Sequence, residues 1–382
     1  MPEVLNFLPD QYSKTNPIGI NHNYLSRQFS DLDEIWKKVR EVVLRGDFTL
    51  GSDVDKLEEE FADMSGSTYA VGVGSGTEAL FLSLKALGVG VGDEVITTPF
   101  TFYATAGAIV ATGAKPVFAD VGDDYNINPI EIEKKITKAT KAILPVHWSG
   151  KPCDMDAIED IAKRYSVFIV SDACHAVNAR YKERNIGELG TVSCFSFHPL
   201  KNLNVWGDGG MIITNSEELV DTLRLLRNHG LIDRDECRIF GYNSRLDTIQ
   251  AVVARHLLSK IDHITTSRIN NAHYFDVQLS SIPQIKIPSR HPDIKHVYHL
   301  YQFLCEKRDE LQKYLFSNGV DAKIHYPIPI HLQPAAESLS YKKGDFPVAE
   351  HISNNILSLP VHEFITQAEQ DKVVALIEAF YV

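Results

Sequence analysis

The stretch Val73-Gly74-Ser75-Gly76-Thr77-Glu78-Ala79-Leu80 joins a short apolar run, Tyr69 to Val73, to a helix-length amphipathic stretch, Thr77 to Leu87. A small glycine-rich turn that opens onto a helix presents backbone N–H groups and hydroxyls to an anion, typically a phosphate. Such turns are also common for structural reasons alone, so this stretch by itself leaves both interpretations open. An apolar run, a tight turn and a helix together are the repeating unit of an α/β fold.

Six further apolar runs follow, and most are separated by helix-length amphipathic stretches such as Met155 to Tyr165. The runs are Glu94 to Thr98, Pro116 to Ala119, Ala142 to Val146, Val167 to Val170, Val192 to Phe197 and Met211 to Thr214. Buried runs that alternate with helices indicate a mainly parallel sheet covered on both faces. We therefore predict an α/β large domain in which helices flank a mixed, mainly parallel seven-stranded sheet.

The sequence pattern changes after about residue 260, where a helix predicted from Asp247 to Ile261 ends. The following segments are a proline-containing stretch (Ile282 to Pro292), an edge-like strand (His296 to Cys305) and a helix (Asp309 to Asn318). This pattern predicts a smaller C-terminal α+β domain. We place the large domain, with its N-terminal segment, at residues 1–260 and the small domain at residues 261–382.

Composition excludes several classes of function. The 382 residues carry 38 Lys plus Arg against 50 Asp plus Glu, a net charge of −12, and no basic arm or stripe suits nucleic acid. No run reaches the roughly 18 apolar residues of a membrane span, and no signal peptide is visible. The five cysteines are scattered and the histidines show no metal-ligand spacing, so we expect a cytoplasmic protein without a metal site.

Two other motifs follow predicted strands. In Val170-Ser171-Asp172-Ala173-Cys174-His175 a carboxylate comes directly after a buried strand, where a pyridinium nitrogen is one suitable partner and a helix N-cap is the ordinary alternative. In Ser196-Phe197-His198-Pro199-Leu200-Lys201-Asn202-Leu203 a lysine lies in a turn between two strands. A lysine beside a desolvated site loses its proton and attacks carbonyls, whereas most turn lysines are simply solvated.

Taken together, these motifs supply a lysine for a Schiff base, an aspartate for a ring nitrogen and a cup for a phosphate. That combination is what pyridoxal 5′-phosphate requires of a protein. The stretch Thr98-Pro99-Phe100-Thr101-Phe102-Tyr103-Ala104-Thr105 adds aromatic side chains after another strand. They either stack on the cofactor ring or pack in the core.

With these motifs, the chain resembles the pyridoxal-phosphate-dependent sugar aminotransferases of the DegT/StrS kind, which have the aspartate aminotransferase (type I) fold. The resemblance extends over roughly residues 20–380. It is carried by Gly74–Leu80, Gly92–Ile96, Asp172–His175, Ser196–Leu203, Gly207–Gly210, Asn243–Asp247, His325–His331 and Ser358–His362.

The resemblance implies cofactor roles for named residues. Lys201 forms the Schiff base and later moves protons, and Asp172 keeps the ring nitrogen protonated. His175 contacts the phenolic oxygen of the ring, and Phe102 stacks on its face. The phosphate is bound by Gly76, Thr77, Ser196 and, from a partner subunit, Asn243.

It also implies substrate roles and an assembly. Arg245 receives the carboxylate of the amino donor, and His325, Tyr326 and His331 approach the substrate. Because Asn243 reaches across to the other subunit, a homodimer with shared active sites is implied.

The sequence therefore predicts a transaminase that moves an amino group from L-glutamate, or glutamine, to a nucleotide-linked 3-keto sugar. Some relatives have His in place of the lysine and carry out dehydration, so Lys201 favours amino transfer. Trp148, a bulky residue within Val146–Gly150, motivates an alternative acceptor, a non-nucleotide keto sugar phosphate or a keto-cyclitol. A catalytically silent regulatory relative is the third possibility.

Overall fold

A computed structural model describes residues 19–30 and 32–382, apart from the side chain of Ser26. Its strands are β1 (Tyr69–Val73), β2 (Glu94–Thr97), β3 (Lys115–Phe118), β4 (Thr140–Ile143), β5 (Phe168–Asp172), β6 (Arg180–Tyr181), β7 (Arg184–Asn185), β8 (Val192–Ser196), β9 (Gly210–Thr214), β10 (Ile285–Lys286), β11 (Ile294–Lys295), β12 (Tyr301–Cys305) and β13 (Ile356–Leu359).

Thirteen α-helices lie in the described chain. They are α1 (Leu25–Gln28), α2 (Asp33–Arg45), α3 (Ser52–Ser65), α4 (Gly76–Ala86), α5 (Tyr103–Ala111), α6 (Pro129–Lys135), α7 (Met155–Tyr165), α8 (Glu217–Arg227), α9 (Thr248–Leu258), α10 (Ile261–Leu279), α11 (Arg308–Ser317), α12 (Pro347–Asn355) and α13 (Gln367–Tyr381).

The largest sheet in the described part of the chain has seven strands in the order β1-β9-β8-β5-β4-β2-β3. Neighbouring strands are parallel from β8 through to β3, whereas β9 is antiparallel to both β1 and β8. Only β9 therefore runs against the other six strands. The predicted mixed, mainly parallel sheet is confirmed, and the carboxyl ends of these six strands meet at one edge.

Helices cover both faces of this sheet because its side chains alternate between two apolar layers. On one face, Ala70 and Phe195 pack with residues of α3, α7 and α9. On the other face, Val71 and Cys194 pack with residues of α4, α5 and α8. Each fully buried aliphatic or aromatic side chain of these layers contributes about 1.5–3 kcal/mol, so the sheet is a rigid platform for the residues at its edge.

A second sheet has the order β10-β12-β13. The prediction of an edge-like strand at His296–Cys305 is wrong, because β12 lies between two antiparallel partners and all five of its residues are buried. The neighbouring proline-containing stretch suggested an edge. The strand that covers the other side, β13, is distant in sequence, so no local pattern indicates it.

The described N-terminal residues pack against this C-terminal part of the chain. Ile20 forms a parallel bridge with Val320, and the backbone N–H of His22 donates to Oδ2 of Asp321 over 3.3 Å. Helix α10 begins at Ile261, where the predicted domain boundary falls. That boundary stays a prediction, and residues 1–18 of the predicted large domain lie outside the described chain.

Among the described residues, no helix is both long and apolar enough to cross a lipid bilayer.

Candidate active site

The carboxyl ends of the six co-directional strands open onto a cavity of about 630 Å³. Ligands of open α/β sheets bind outside this edge. Nine of the predicted site residues line the cavity: Gly76, Thr77, Phe102, Asp172, His175, Ser196, Lys201, His325 and Tyr326. The fold thus brings motifs that are separated by up to 250 residues of sequence into one site.

Asp172 is the last residue of β5, and both of its carboxylate oxygens accept hydrogen bonds. Oδ2 accepts from the hydroxyl of Thr105 over 2.8 Å, and Oδ1 accepts from the backbone N–H of Cys174 over 3.2 Å. The chain turns after Asp172 instead of entering a helix, so the N-cap alternative does not apply. The buried carboxylate is aimed into the cavity by fixed donors.

Lys201 lies in the turn that follows β8. Its backbone N–H donates to the carbonyl of His198 over 2.8 Å, and its carbonyl accepts from Nδ2 of Asn204 over 3.0 Å. Burial lowers the pKa of the Lys201 ammonium below its ordinary value of 10.5, and the negative charge of Asp172 partly opposes this shift. A desolvated amine with a lowered pKa is a nucleophile, so the solvated-lysine alternative does not apply.

Helix α4 begins at the glycine-rich turn. Ser75 is its N-cap, and its hydroxyl accepts from the N–H of Glu78 over 3.2 Å. The first residues of the helix, Gly76 and Thr77, line the cavity together with Ser196. A Cβ atom on Gly76 would lie 2.6 Å from Cβ of Ser196, so only glycine leaves this space open. A helix N-terminus with adjacent hydroxyls is suited to a phosphate.

Two histidines form one wall of the cavity. The rings of His175 and His299 lie 4.3 Å apart, and the indole of Trp148 lies 5.4 Å behind His175. Burial and the charge of Lys201 hold the pKa of His175 well below 6.5, so this imidazole is neutral at pH 7. Trp148 is itself 1% exposed and does not line the cavity, so its indole cannot touch a substrate directly.

The opposite wall is aromatic. Phe102 is 47% exposed and Tyr103 is 51% exposed, with ring centroids 5.1 Å apart. The ring of Tyr326 lies 5.9 Å from Phe102 and 6.0 Å from Tyr103. Since Phe102 and Tyr103 face the cavity and are not buried, the alternative of core packing does not apply to them.

Comparison with known proteins agrees with this geometry. A model of the DegT/DnrJ/EryC1/StrS aminotransferase family matches residues 30–378. The chain belongs to this family. Membership confirms the predicted type I fold, the cofactor pyridoxal 5′-phosphate and the reaction class, amino transfer in amino sugar biosynthesis.

Individual relatives match over nearly their full length. A pleiotropic regulatory protein of Geobacillus stearothermophilus is 42% identical, over 94% of this chain and 97% of the relative. The dTDP-3-amino-3,4,6-trideoxy-alpha-D-glucose transaminase of Streptomyces venezuelae is 39% identical, over 91% of this chain and 94% of the relative. The crystal structure of S. venezuelae DesV in complex with a ketimine intermediate is 38% identical, with a TM-score of 0.92 over 96% and 99% of the two chains.

The cavity of this family member fits the cofactor. Its glycine-lined cup at Gly76, the buried carboxylate of Asp172 and the desolvated amine of Lys201 are what the phosphate, the ring nitrogen and the carbonyl carbon of pyridoxal phosphate need. Cys174, beside them, keeps its proton because burial and then the charge of Asp172 raise the pKa of its thiol. No group of three or more His, Cys, Asp or Glu residues in the described chain is placed to hold a metal ion.

Three predicted site residues lie outside this cavity. Asn243 is exposed, and Nη1 of Arg245 donates to Oδ1 of Asn228 over 3.0 Å. The side chain of His331 is fully buried, and its Nε2 lies 3.1 Å from Oε1 of Glu350. The structure therefore does not bring His331 to the substrate side of this family member's cavity.

Other lining residues were not predicted from the sequence. Polar ones among them are His22, Tyr24, Thr105, Arg268, His299, Lys323 and His362. Thr105 could have been predicted, because it belongs to the aromatic motif after β2. The others come from the N-terminal segment, α10 and the C-terminal part of the chain, which carry no phosphate or nucleophile motif.

Proposed function

We propose that this enzyme transfers an amino group from L-glutamate to the keto group of a nucleotide-linked sugar, at C3. The observation that carries the proposal is the desolvated Lys201 beside Asp172 in one cavity. The S. venezuelae relative supports the acceptor class, since its name describes a dTDP-linked 3-amino sugar. Of two other relatives, one is 37% identical and its name gives a UDP-linked 3-dehydro sugar, and one is 38% identical and its name gives a dTDP-linked 3-amino sugar.

Pyridoxal phosphate, when bound, supplies an electron sink for the carbon that carries the amino group. Asp172 holds a proton on the ring nitrogen by its charge, and Thr105 and Cys174 fix the direction of that carboxylate. The N-terminus of α4 and Ser196 anchor the phosphate. His175, whose imidazole is neutral, would contact the phenolic oxygen of the ring.

Lys201 carries out the proton chemistry. Its Nζ would hold the cofactor until an amino donor takes its place. The released amine would then accept the proton of the donor α-carbon and deliver it where the amino group is handed over, and with the keto sugar it would move protons in the opposite direction. Burial favours this role because it lowers the pKa of the amine toward neutral pH.

The active site requires a second copy of the chain. Asn243 is exposed and Arg245 is partly buried, and Asn243 pairs with Asn228 at the base of a loop whose Phe240 is 98% exposed. A large apolar side chain so fully exposed is typical of a surface that another molecule covers. In a homodimer, Asn243 of each subunit reaches the phosphate, and Arg245 the donor carboxylate, in the other subunit's site.

The test is the visible absorption spectrum of the protein with pyridoxal phosphate, before and after L-glutamate, with Lys201→Ala as the control. We expect a band of covalently bound cofactor that collapses on adding glutamate and is missing in the variant. A band that does not change on adding glutamate or glutamine contradicts the proposed amino donor. The absence of any band favours the hypothesis of a catalytically silent regulatory relative.

The acceptor is tested by turnover with nucleotide-linked 3-keto sugars, keto sugar phosphates and keto-cyclitols. Turnover of a non-nucleotide ketone alone contradicts the proposed acceptor. Trp148 was the reason to consider such ketones, and from its position behind His175 the indole acts on the shape of the cavity only through the residues that line it.

A further inference from the structure

One end of the cavity is rich in nitrogen donors. His22, Arg268, Lys323, His325 and His362 all line it. The carboxylates on the cavity wall are those of Asp172 and Asp208, which belong to the cofactor end and the turn after Lys201. The described side chains at this basic end therefore offer a bound molecule donors and positive charge, which suits an anion.

Lys323 is the cation available to such an anion. Its Nζ lies 2.7 Å from Oδ1 of Asp321. Oδ2 of the same carboxylate accepts from the backbone N–H of His22 over 3.3 Å. Asp321 is 3% exposed and does not line the cavity. The carboxylate thus lies behind the ammonium and orients it, while the side chain of Lys323, 25% exposed, keeps further N–H donors for a ligand.

Arg268, by contrast, is committed to the protein. Its Nη1 donates to the carbonyl of Tyr298 over 3.1 Å, and its Nη2 donates to the hydroxyl of Tyr24 over 2.6 Å. Its Nε faces the buried carboxylate of Glu363 at 3.5 Å. Arg268 therefore holds the N-terminal segment and α10 together and adds positive potential, while Lys323 is the more exposed of the two cations.

Two imidazoles flank Lys323. The rings of His22 and His325 lie 5.5 Å apart, and Nδ1 of His325 is 3.0 Å from the hydroxyl of Ser358. Nδ1 of His22 is buried and has no hydrogen-bond partner among the described residues. Burial and the charge of Lys323 lower the pKa of His22 to about 3. A nearby anion offsets that charge and favours N–H donation by these rings.

This end lies close to the reacting lysine. His325 is near enough to both Lys201 and Lys323 that each charge, after burial, lowers the pKa of its imidazole. An amino donor places its α-carbon beside Lys201, so its carboxylates fall within a few bonds of that point. In an acceptor that reacts at C3, the nearest phosphorus is four bonds from the reacting carbon and the rest of the nucleotide extends away from it, whereas both carboxyl carbons of glutamate lie within three bonds of the α-carbon.

We propose that Lys323, flanked by His22 and His325, is the subsite that binds one carboxylate of a dicarboxylic amino donor. This inference rests on the proposed function, because it assumes that glutamate is the donor. Glutamate has two carboxylates. Lys323 would bind one of them inside the cavity, at a position separate from Arg245, which lies outside it.

The probe is glutarate, which is glutamate without its amino group, titrated calorimetrically into the cofactor-loaded protein. We expect Lys323→Met to weaken glutarate binding and to raise KM for L-glutamate, each by at least about tenfold. Inhibition by thymidine diphosphate and by inorganic phosphate stays unchanged. The matched control is Lys313→Met, an exposed lysine of α11, which leaves all of these values as in the wild type.

Lys323→Met leaves the buried Asp321 without its cation and can impair folding. The double variant Asp321→Asn with Lys323→Met removes both charges, and it carries the test if the single variant does not fold. Lys323→Arg keeps the charge and is expected to retain glutarate binding within a few fold.

The measurements with glutarate and with thymidine diphosphate distinguish a donor carboxylate from an acceptor phosphate as the anion bound by Lys323. Loss of thymidine diphosphate inhibition with intact glutarate binding assigns the subsite to the acceptor and overturns the proposal. Unchanged glutarate binding in the folded variant also overturns it. If glutamate does not change the absorption spectrum of the wild-type protein, the proposed function is wrong. The calorimetric titration with glutarate then shows separately whether Lys323 binds a dicarboxylate.

Discussion

The hydroxyl of Thr105 donates to Oδ2 of Asp172 over 2.8 Å, and this bond joins the first turn of α5 to the end of β5. The hydroxyl of Thr101 lies 2.9 Å from that of Thr105. Because the single proton of Thr105 is given to Asp172, Thr101 must donate to Thr105. A short relay of hydroxyls therefore holds the carboxylate that lines the cavity and is proposed to face the cofactor ring.

Thr105→Val keeps the shape of the side chain and removes this donor. A hydrogen bond to a charged group is worth about 1.5–3 kcal/mol, so we expect pyridoxal phosphate to bind about tenfold more weakly or worse. Absorbance titration of the cofactor-free protein measures the dissociation constant. Thr112→Val, at the other end of α5, is the matched control, and equal effects of the two substitutions would refute the relay.

Lys201→Met is predicted to stabilise the cofactor-free protein. Burial lowers the pKa of Lys201, so the folded chain binds its proton more weakly than the unfolded chain does. This destabilises the fold at pH values below the lowered pKa. This loss of folding free energy decreases as the pH rises from the lowered pKa to 10.5, the ordinary pKa of a lysine.

We therefore expect the free energy of unfolding at pH 7 to rise by about 0.5–2 kcal/mol in Lys201→Met, with a smaller gain near pH 10. Thermal or urea unfolding at the two pH values measures this difference. The exposed lysine substitution Lys313→Met is the control and should change little. A gain that grows with pH contradicts the assigned direction of the pKa shift.

The central sheet was predictable because its strands are buried on both faces and appear as continuous apolar runs. β1 matches its predicted run, and β5 and β9 differ by one or two residues. The two-residue strands β6, β7, β10 and β11 are too short for any periodic pattern. Helix α10 was missed because two of its buried positions are the polar residues Thr265 and Arg268, which interrupt the apolar period.

The cofactor end of the site was predictable for a related reason. Asp172 and Lys201 each follow a strand of the same sheet, and the carboxyl ends of such strands meet. The basic end was not, since Lys323 lies in the C-terminal part of the chain and is held by antiparallel pairing with the distant Ser358. His331 is an error of the opposite kind, a residue predicted in the site that lies outside it. Its motif suggests a substrate contact, but its ring packs 4.7 Å from Phe346.

Trp148→Phe tests what the buried indole supports. Its ring lies 4.7 Å from Phe100 and 5.6 Å from Tyr326, so the smaller ring leaves a void behind the substrate wall. We expect a loss of about 1–3 kcal/mol of unfolding free energy and a higher KM for the acceptor. Trp36→Phe is the control, since Trp36 is 53% exposed. A stability loss with unchanged KM would mean that Trp148 only fills space.

Shared active sites predict that two inactive variants rescue each other. Lys201→Ala removes the reacting amine, and Asn243→Asp sets a carboxylate against the phosphate that Asn243 is proposed to contact in the other subunit. We expect each variant alone to be inactive in amino transfer. In a mixed dimer, one site combines the intact Lys201 of one subunit with the intact Asn243 of the other.

Co-expression with two different affinity tags isolates that mixed dimer. Because one of its two sites is intact, its amino-transfer rate should be about half that of the wild-type dimer. A doubly tagged dimer carrying Lys201→Ala in both subunits serves as the control and should stay inactive. An inactive mixed dimer, a monomer in solution or a fully active Asn243→Asp variant would each place Asn243 outside the shared site.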